Sequence, residues 1–169
     1  MKTLCIAAAM VAATAGTAAA GGAANSVGVG TELQLSGVGG ISVNYDTGVF
    51  HVGGFLGFED PDGPDNDVFA IGGQFWYHIA RSAASDFSIG GSIGLESAAT
   101  AGDRATGLYL EPGFQIRAFV TTNVALSFTG GISIGTVDAN NVSIGGNNTS
   151  SLVGFGGITG AAGVHYYFF

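Results

Sequence analysis

Between Glu59 and Asp67 the chain carries Glu59, Asp60, Asp62, Asp65 and Asp67 together with Asn66. Clustered oxygen donors of this kind suit hard cations such as Ca²⁺ or Mg²⁺, and Asp60-Pro61-Asp62-Gly63 opens like an Asp-x-Asp-Gly metal loop. Asp60, Asp62, Asp65 and Asp67 are therefore candidate ligands, for instance bridging a divalent ion to an anionic surface. No glutamate stands at the twelfth position of that pattern, so an EF-hand is excluded, and a solvated acidic loop is the plainer expectation. A second set is dispersed: Glu32, Gln74, His78, Glu111, Gln115 and Arg117. Glu111 and Arg117 are too far apart along one strand to touch, so the arginine needs an acid from elsewhere in the fold. His51 and His165 complete the titratable groups that could act as acids, bases or ligands.

The composition restricts what can position these groups. Charged residues are 9% of the 169, hydrophobic residues 47%, and there are 31 glycines. An ordinary soluble domain is about 25% charged, so this chain lacks the means to cover a water-facing surface. Glycine is a poor helix former, and no period of three suggests collagen. The net charge is −8 with four Lys and Arg in total, which excludes a nucleic-acid partner, because phosphate binding needs a basic face. Cys5 stands alone, so no internal disulfide forms.

The N-terminus has the pattern of an export signal. Lys2 supplies the positive start, Leu4 to Ala15 the apolar stretch, and Ala18-Ala19-Ala20 a small-x-small cleavage site. Cleavage after Ala20, or alternatively after Ala24, leaves a mature domain spanning 21–169. Thr14, Gly16 and Thr17 interrupt the apolar stretch, which is shorter than the roughly 20 residues of a spanning helix. Cys5 precedes it and cannot be a lipoprotein cysteine.

Beyond this point apolar residues alternate with small or polar ones in about eight segments. Phe69, Ile71, Phe75, Tyr77 and Ile79 share one parity, with Gln74, Trp76 and His78 on the other. Phe87, Ile89, Ile93 and Leu95 oppose Ser88, Gly90, Ser92, Gly94 and Glu96. Leu108, Leu110, Phe114 and Ile116 oppose Tyr109, Glu111, Gln115 and Arg117, with Pro112 expected at a bulge. The bulky face is apolar throughout and the other is dominated by Gly, Ser, Ala and Thr. Eight strands enclose a lumen just wide enough for side chains, so the small face belongs inside and the bulky face against lipid. Connections alternate: short at Tyr45–Gly48, Ser82–Ser85 and Thr121–Asn123, long at Glu59–Asp67, Ser97–Thr106 and Asp138–Ser151. Ser36–Gly40 is brief for an outer loop. Tyr45, Tyr77, Tyr166 and Phe168 gather at the short-turn end, where an interfacial girdle sits. The fold expected is all-β: an eight-stranded antiparallel up-and-down transmembrane β-barrel with short periplasmic turns, longer outer loops and both termini periplasmic.

The last strand resembles the assembly signal of outer-membrane barrels, a glycine followed by aromatics two apart. Gly163, Tyr166 and Phe168 match it, with Phe169 one residue beyond and Ala161 where a polar residue is usual. With the eight segments, the mature chain resembles small outer-membrane proteins of the OmpA, OmpX and OmpW type. That resemblance implies recognition by the barrel-assembly machinery, contact with outer-membrane lipids and lipopolysaccharide, a monomer without cofactor, and lumenal charges that pair across the barrel. Deacylase-type barrels carry a His-x-Ser arrangement, whereas His51, His78 and His165 are followed two residues later by Gly53, Ala80 and Tyr167. No enzyme is expected. The leading function is a structural or surface-interaction role in the outer membrane. A narrow porin-like channel, favoured by inward glycines that would leave lumen unfilled, is the alternative, and a soluble secreted Gly-rich β protein the remote one.

Overall fold

The computed structural model describes residues 23–35, 37–60, 67–100, 103–137, 141–144 and 157–168. The export-signal stretch 1–20, Asp62, Asp65 and Phe169 lie outside the described residues.

Among the described residues ten strands form: β1 (Ser26–Gln34), β2 (Gly39–Asp46), β3 (Phe50–Glu59), β4 (Val68–Arg81), β5 (Ser85–Thr100), β6 (Asp103–Phe119), β7 (Val124–Ile132), β8 (Ile134–Val137), β9 (Asn141–Ile144) and β10 (Ile158–Phe168). Each of β1 to β6 pairs antiparallel with the next, β6 with β7, β7 with β10, and β10 with β1. The result is a closed eight-stranded up-and-down barrel. The seventh wall strand is β7 continued by β8 after a break at Ser133, since both pair with β6. β9 pairs with β8.

The stagger follows from the pairings. Starting at Ser26, partners run through Asp46, His51, Trp76, Gly90, Gly113, Gly131 and Thr159. Thr159 lies two residues beyond the Ala161–Gln34 pair, so the path regains the first strand about ten residues further on. A stagger of this size in eight strands tilts them by roughly 40°. It brings lumenal residues distant in sequence to one level.

Period-two alternation does what it was read to do. Along β1, β2 and β3 buried and exposed residues alternate, and large apolar side chains such as Ile41 (60% exposed), Phe58 (62%) and Ile158 (65%) stand outward around the wall. A water-soluble monomer rarely exposes apolar patches above a few hundred Å²; here the whole circumference is apolar. Tyr45, Tyr77, Tyr166 and Phe168 all face outward at the short-turn end, and Tyr166 meets Phe168 edge-on at 5.0 Å. Ile41→Arg should destabilise the lipid-embedded barrel by about 2–4 kcal/mol. Unfolding from vesicles measures it; a cost below about 1 kcal/mol would remove Ile41 from the hydrocarbon zone.

Three local readings need correction. The polar loop expected over Ser97–Thr106 is mostly ladder, with pairing continuing to Thr100–Asp103. The third long loop, Asp138–Ser151, contains β9. Pro112 is not at a bulge on β5, where it pairs with Gly91 in unbroken register. The register shift falls instead between His78 and Ala80, and Pro112 lies at the interruption between β7 and β8, where no pair with β6 forms, as fits a residue without an N–H.

Candidate functional site in the lumen

At the short-turn end the lumen is crossed by one guanidinium. Asp46 ends β2, His51 begins β3, His78 lies near the end of β4, Asp86 begins β5, Arg117 lies near the end of β6, and Tyr167 near the end of β10. All face inward because their parity matches that of the small-residue face. Arg117, 1% exposed, donates from Nε to both Asp86 oxygens at 3.1 and 3.0 Å and from Nη2 to Asp86 Oδ2 at 2.7 Å. Nη2 also reaches Asp46 Oδ2 at 2.6 Å and His78 Nε2 at 3.1 Å, and Nη1 donates to Tyr167 Oη at 2.9 Å. The guanidinium carbon lies 5.5 Å from the Phe119 ring centroid and 5.7 Å from that of Tyr167. Among the described residues Arg117 is the one lumenal Lys or Arg, so Asp46 and Asp86 depend on it.

Above this plug, Gln74 Nε2 donates to Glu32 Oε1 at 2.9 Å, and Trp76 Nε1 donates to Gln74 Oε1 at 2.7 Å. Ser42 Oγ contacts His165 Nε2, and Glu32 Oε1 lies 3.5 Å from that same nitrogen. A serine, a histidine and an acid thus meet, brought from three strands. In a Ser–His–acid relay the hydroxyl and the carboxylate address opposite ring nitrogens. Here both address Nε2, and His165 Nδ1 is buried without a partner. The trio is a lumenal hydrogen-bond cluster, not a relay.

Toward the long-loop end, Glu111 accepts from Ser92 Oγ at 2.7 Å and from Thr159 Oγ1 at 2.5 Å. A cavity of about 40 Å³, room for one or a few waters, is lined by Glu32, Gln74, Ser92, Tyr109, Glu111 and Thr159 among others. Val38, Phe55 and Ala70 form a buried apolar cluster at this end. Val38 comes from the brief first connection, closed by Gln34 N–H to Val38 O at 3.0 Å. That shortness tucks a side chain into the barrel mouth.

The inward glycines do not leave the lumen open. A Cβ on Gly28 would lie 2.7 Å from the Tyr167 ring, on Gly94 2.3 Å from Tyr109 Oη, and on Gly57 2.7 Å from Phe55 and Val38. Each makes room for a large neighbour. At these three positions the expected free volume is filled, whereas Gly72 and Gly131 border the cavity.

Of the residues singled out by sequence, Glu32 and Gln74 bond each other, and Arg117 joins His78. Glu111 lies in the cavity wall, and Gln115 is buried with its Oε1 unpartnered. Glu111 and Arg117 belong to different layers. In the acidic loop, Asp67 accepts from Arg104 Nη2 at 2.5 Å, and Asp60 is exposed. Gly163, Tyr166 and Phe168 sit on β10, facing inward, outward and outward. Asp46, Asp86 and Tyr167 as partners of Arg117, and Ser42 beside His165, were not anticipated. Parity carried one step further, from Ser42 and Asn44 to Asp46 and from Ser88 back to Asp86, is the signal that finds the two acids.

No protein-family profile matches the chain, and no curated protein matches it. Among solved structures, the N-terminal β-barrel domain of Pseudomonas aeruginosa OprF superposes with a TM-score of 0.56 at 11% identity, covering 86% of this chain and 98% of that one. Neisserial surface protein A (NspA) gives a TM-score of 0.45 at 17% identity, covering 85% and 94%. The chain has the closed eight-stranded barrel fold found in small outer-membrane proteins.

Proposed function

We propose that this protein is an integral outer-membrane barrel with a non-enzymatic structural or surface-interaction role, its lumen closed to solutes. The observation that carries the reading is the Arg117 plug: a guanidinium held by two acids, a tyrosine and a histidine across the lumen. The wholly apolar outer wall supports the membrane setting, with lipid and lipopolysaccharide as its surroundings and the termini on the periplasmic side. Gly163, Tyr166, Phe168 and Phe169 serve as the assembly signal, and the barrel acts as a monomer.

The channel reading needs the plug to move. Purified barrel in a planar bilayer should be electrically silent over minutes at moderate voltage. Stable openings in the wild-type protein would overturn the closed-lumen reading, and recovery of folded protein in buffer without detergent would overturn the membrane one.

A further inference from the structure

Arg117 is committed unevenly. Nε and Nη2 hold both oxygens of Asp86, and Nη1 is taken by Tyr167. Toward β2 and β4 the guanidinium extends only Nη2, to Asp46 Oδ2 and His78 Nε2. Behind these lies His51, whose Nδ1 is 2.8 Å from His78 Nε2. One ligand atom each from Asp46, His51 and His78 lies within 4.8 Å of the others, and all three residues are buried.

The hydrogen bonds around the two imidazoles indicate what fits between them. The Arg117 cation, its Nη2 3.1 Å from His78 Nε2, favours a lone pair on that nitrogen. Its other nitrogen, Nδ1, faces the Gly48 carbonyl at 3.4 Å, which suits an N–H there. On His51 the far nitrogen, Nε2, is fully buried with no partner, and Gln115, whose Oε1 is likewise buried and unpartnered, lies beside that ring. In the ion-free barrel the His51 proton sits on Nδ1 and is donated to His78 Nε2; moved to the unpartnered Nε2, it leaves Nδ1 a lone pair. With that proton displaced, both imidazoles turn a lone pair toward the space beside the Asp46 carboxylate. An oxygen behind an imidazole, as the Gly48 carbonyl lies behind His78, is how proteins fix the ring and tautomer of metal-binding histidines. Charge points the same way, because Asp46 and Asp86 outnumber the one guanidinium.

We infer that Asp46, His51 and His78 form a site for a divalent transition-metal ion of the zinc class, for which Arg117 is the resident competitor. Two imidazoles and a carboxylate are a borderline-soft set, suited to Zn²⁺ and its neighbours rather than to Ca²⁺ or Mg²⁺. On binding, the ion takes Asp46 Oδ2 and His78 Nε2 from Arg117, while the arginine keeps Asp86 and Tyr167. His78, at 8% the most exposed of the three, marks access from the short-turn end.

The full folded barrel, free of any histidine tag, is titrated with ZnCl₂ by calorimetry and with CoCl₂ by visible absorption. One ion per chain is expected, with ligand-field bands for Co²⁺. His51→Asn and His78→Asn should each weaken binding by about 100-fold, more than the roughly tenfold expected for the supporting Gln115→Leu. His165→Asn should leave binding unchanged, and Arg117→Gln should tighten it. Because a lumenal variant can fail to fold, ¹⁵N-histidine spectra of the wild-type protein supply a second readout: Zn²⁺ should shift the ring nitrogens of two of the three histidines. No binding at millimolar Zn²⁺, binding that survives loss of His51 and His78, or a wild-type spectrum without those shifts would overturn the site.

Discussion

Arg117→Met should destabilise the folded barrel by about 3–5 kcal/mol, the cost typical of leaving buried charges without their partner. The mechanism is specific. Asp46 and Asp86 are both fully buried (0% and 3% exposed), and methionine supplies no donor to either. The triple change Asp46→Asn, Asp86→Asn, Arg117→Met removes the charges together and should recover most of the loss, because neutral replacement of a buried ion cluster is often close to neutral or stabilising. Denaturant unfolding from lipid vesicles, with chelator present, measures both. A single variant within about 1 kcal/mol of wild type, or a triple variant no better than the single, would show that the guanidinium is not what compensates these acids. The same Arg117→Met barrel should also show small current steps in a planar bilayer, since the plug separates the water-sized cavity from the short-turn end.

The second large effect concerns backbone approach. A Cβ on Gly90 would lie 1.9 Å from the Phe75 carbonyl oxygen and 3.0 Å from Trp76 Cα. These are main-chain atoms of the paired strand and cannot swing aside as a side chain does. Gly90→Ala is expected to cost about 3 kcal/mol, the upper range for overpacking, and to reduce sharply the fraction reaching the compact, heat-modifiable form on gels. Gly54→Ala is the control: its Cβ would meet its nearest atom, Gly72 O, at 3.8 Å, an ordinary contact, on the outward face. Equal folding yields for the two variants would refute the close approach at Gly90.

Outward residues were readable in sequence because their task is generic. Lipid asks Ile41, Phe75, Ile93 and Phe114 only to be large and apolar, and that demand recurs every second residue whatever the neighbours are. Lumenal partnerships are different. Arg117 meets Asp46 across 71 positions, and only the stagger of the barrel decides which inward residues share a level. Asp46 was hidden further by its place in Tyr45-Asp46-Thr47-Gly48, a string that reads as a turn although its parity continues that of Ser42 and Asn44. The strand ends beyond Ser97 and before Thr106 were missed for a related reason. Hydrophobic alternation stops where the apolar zone stops, while the backbone ladder continues to Thr100 and Asp103. The inward glycines misled because a residue without a side chain reads as empty space, whereas at Gly28 and Gly94 that space belongs to Tyr167 and Tyr109.

The chain order of the plug has a consequence for how the barrel assembles. Asp46 is made early, Arg117 two-thirds of the way along and Tyr167 last, and the phenol reaches the guanidinium from β10, which is joined to β6 through β7. Its ring also packs over Gly28 on the first strand, on the far side of the closing seam. Joining β1 to β10 closes a loop that spans all the other strands, a contact of high order that forms slowly. The packing of the Tyr167 ring over Gly28 is therefore completed only when that seam is joined. Burial of the Tyr167 ring is thus a clock for closure, readable from a single side chain at the end of the chain.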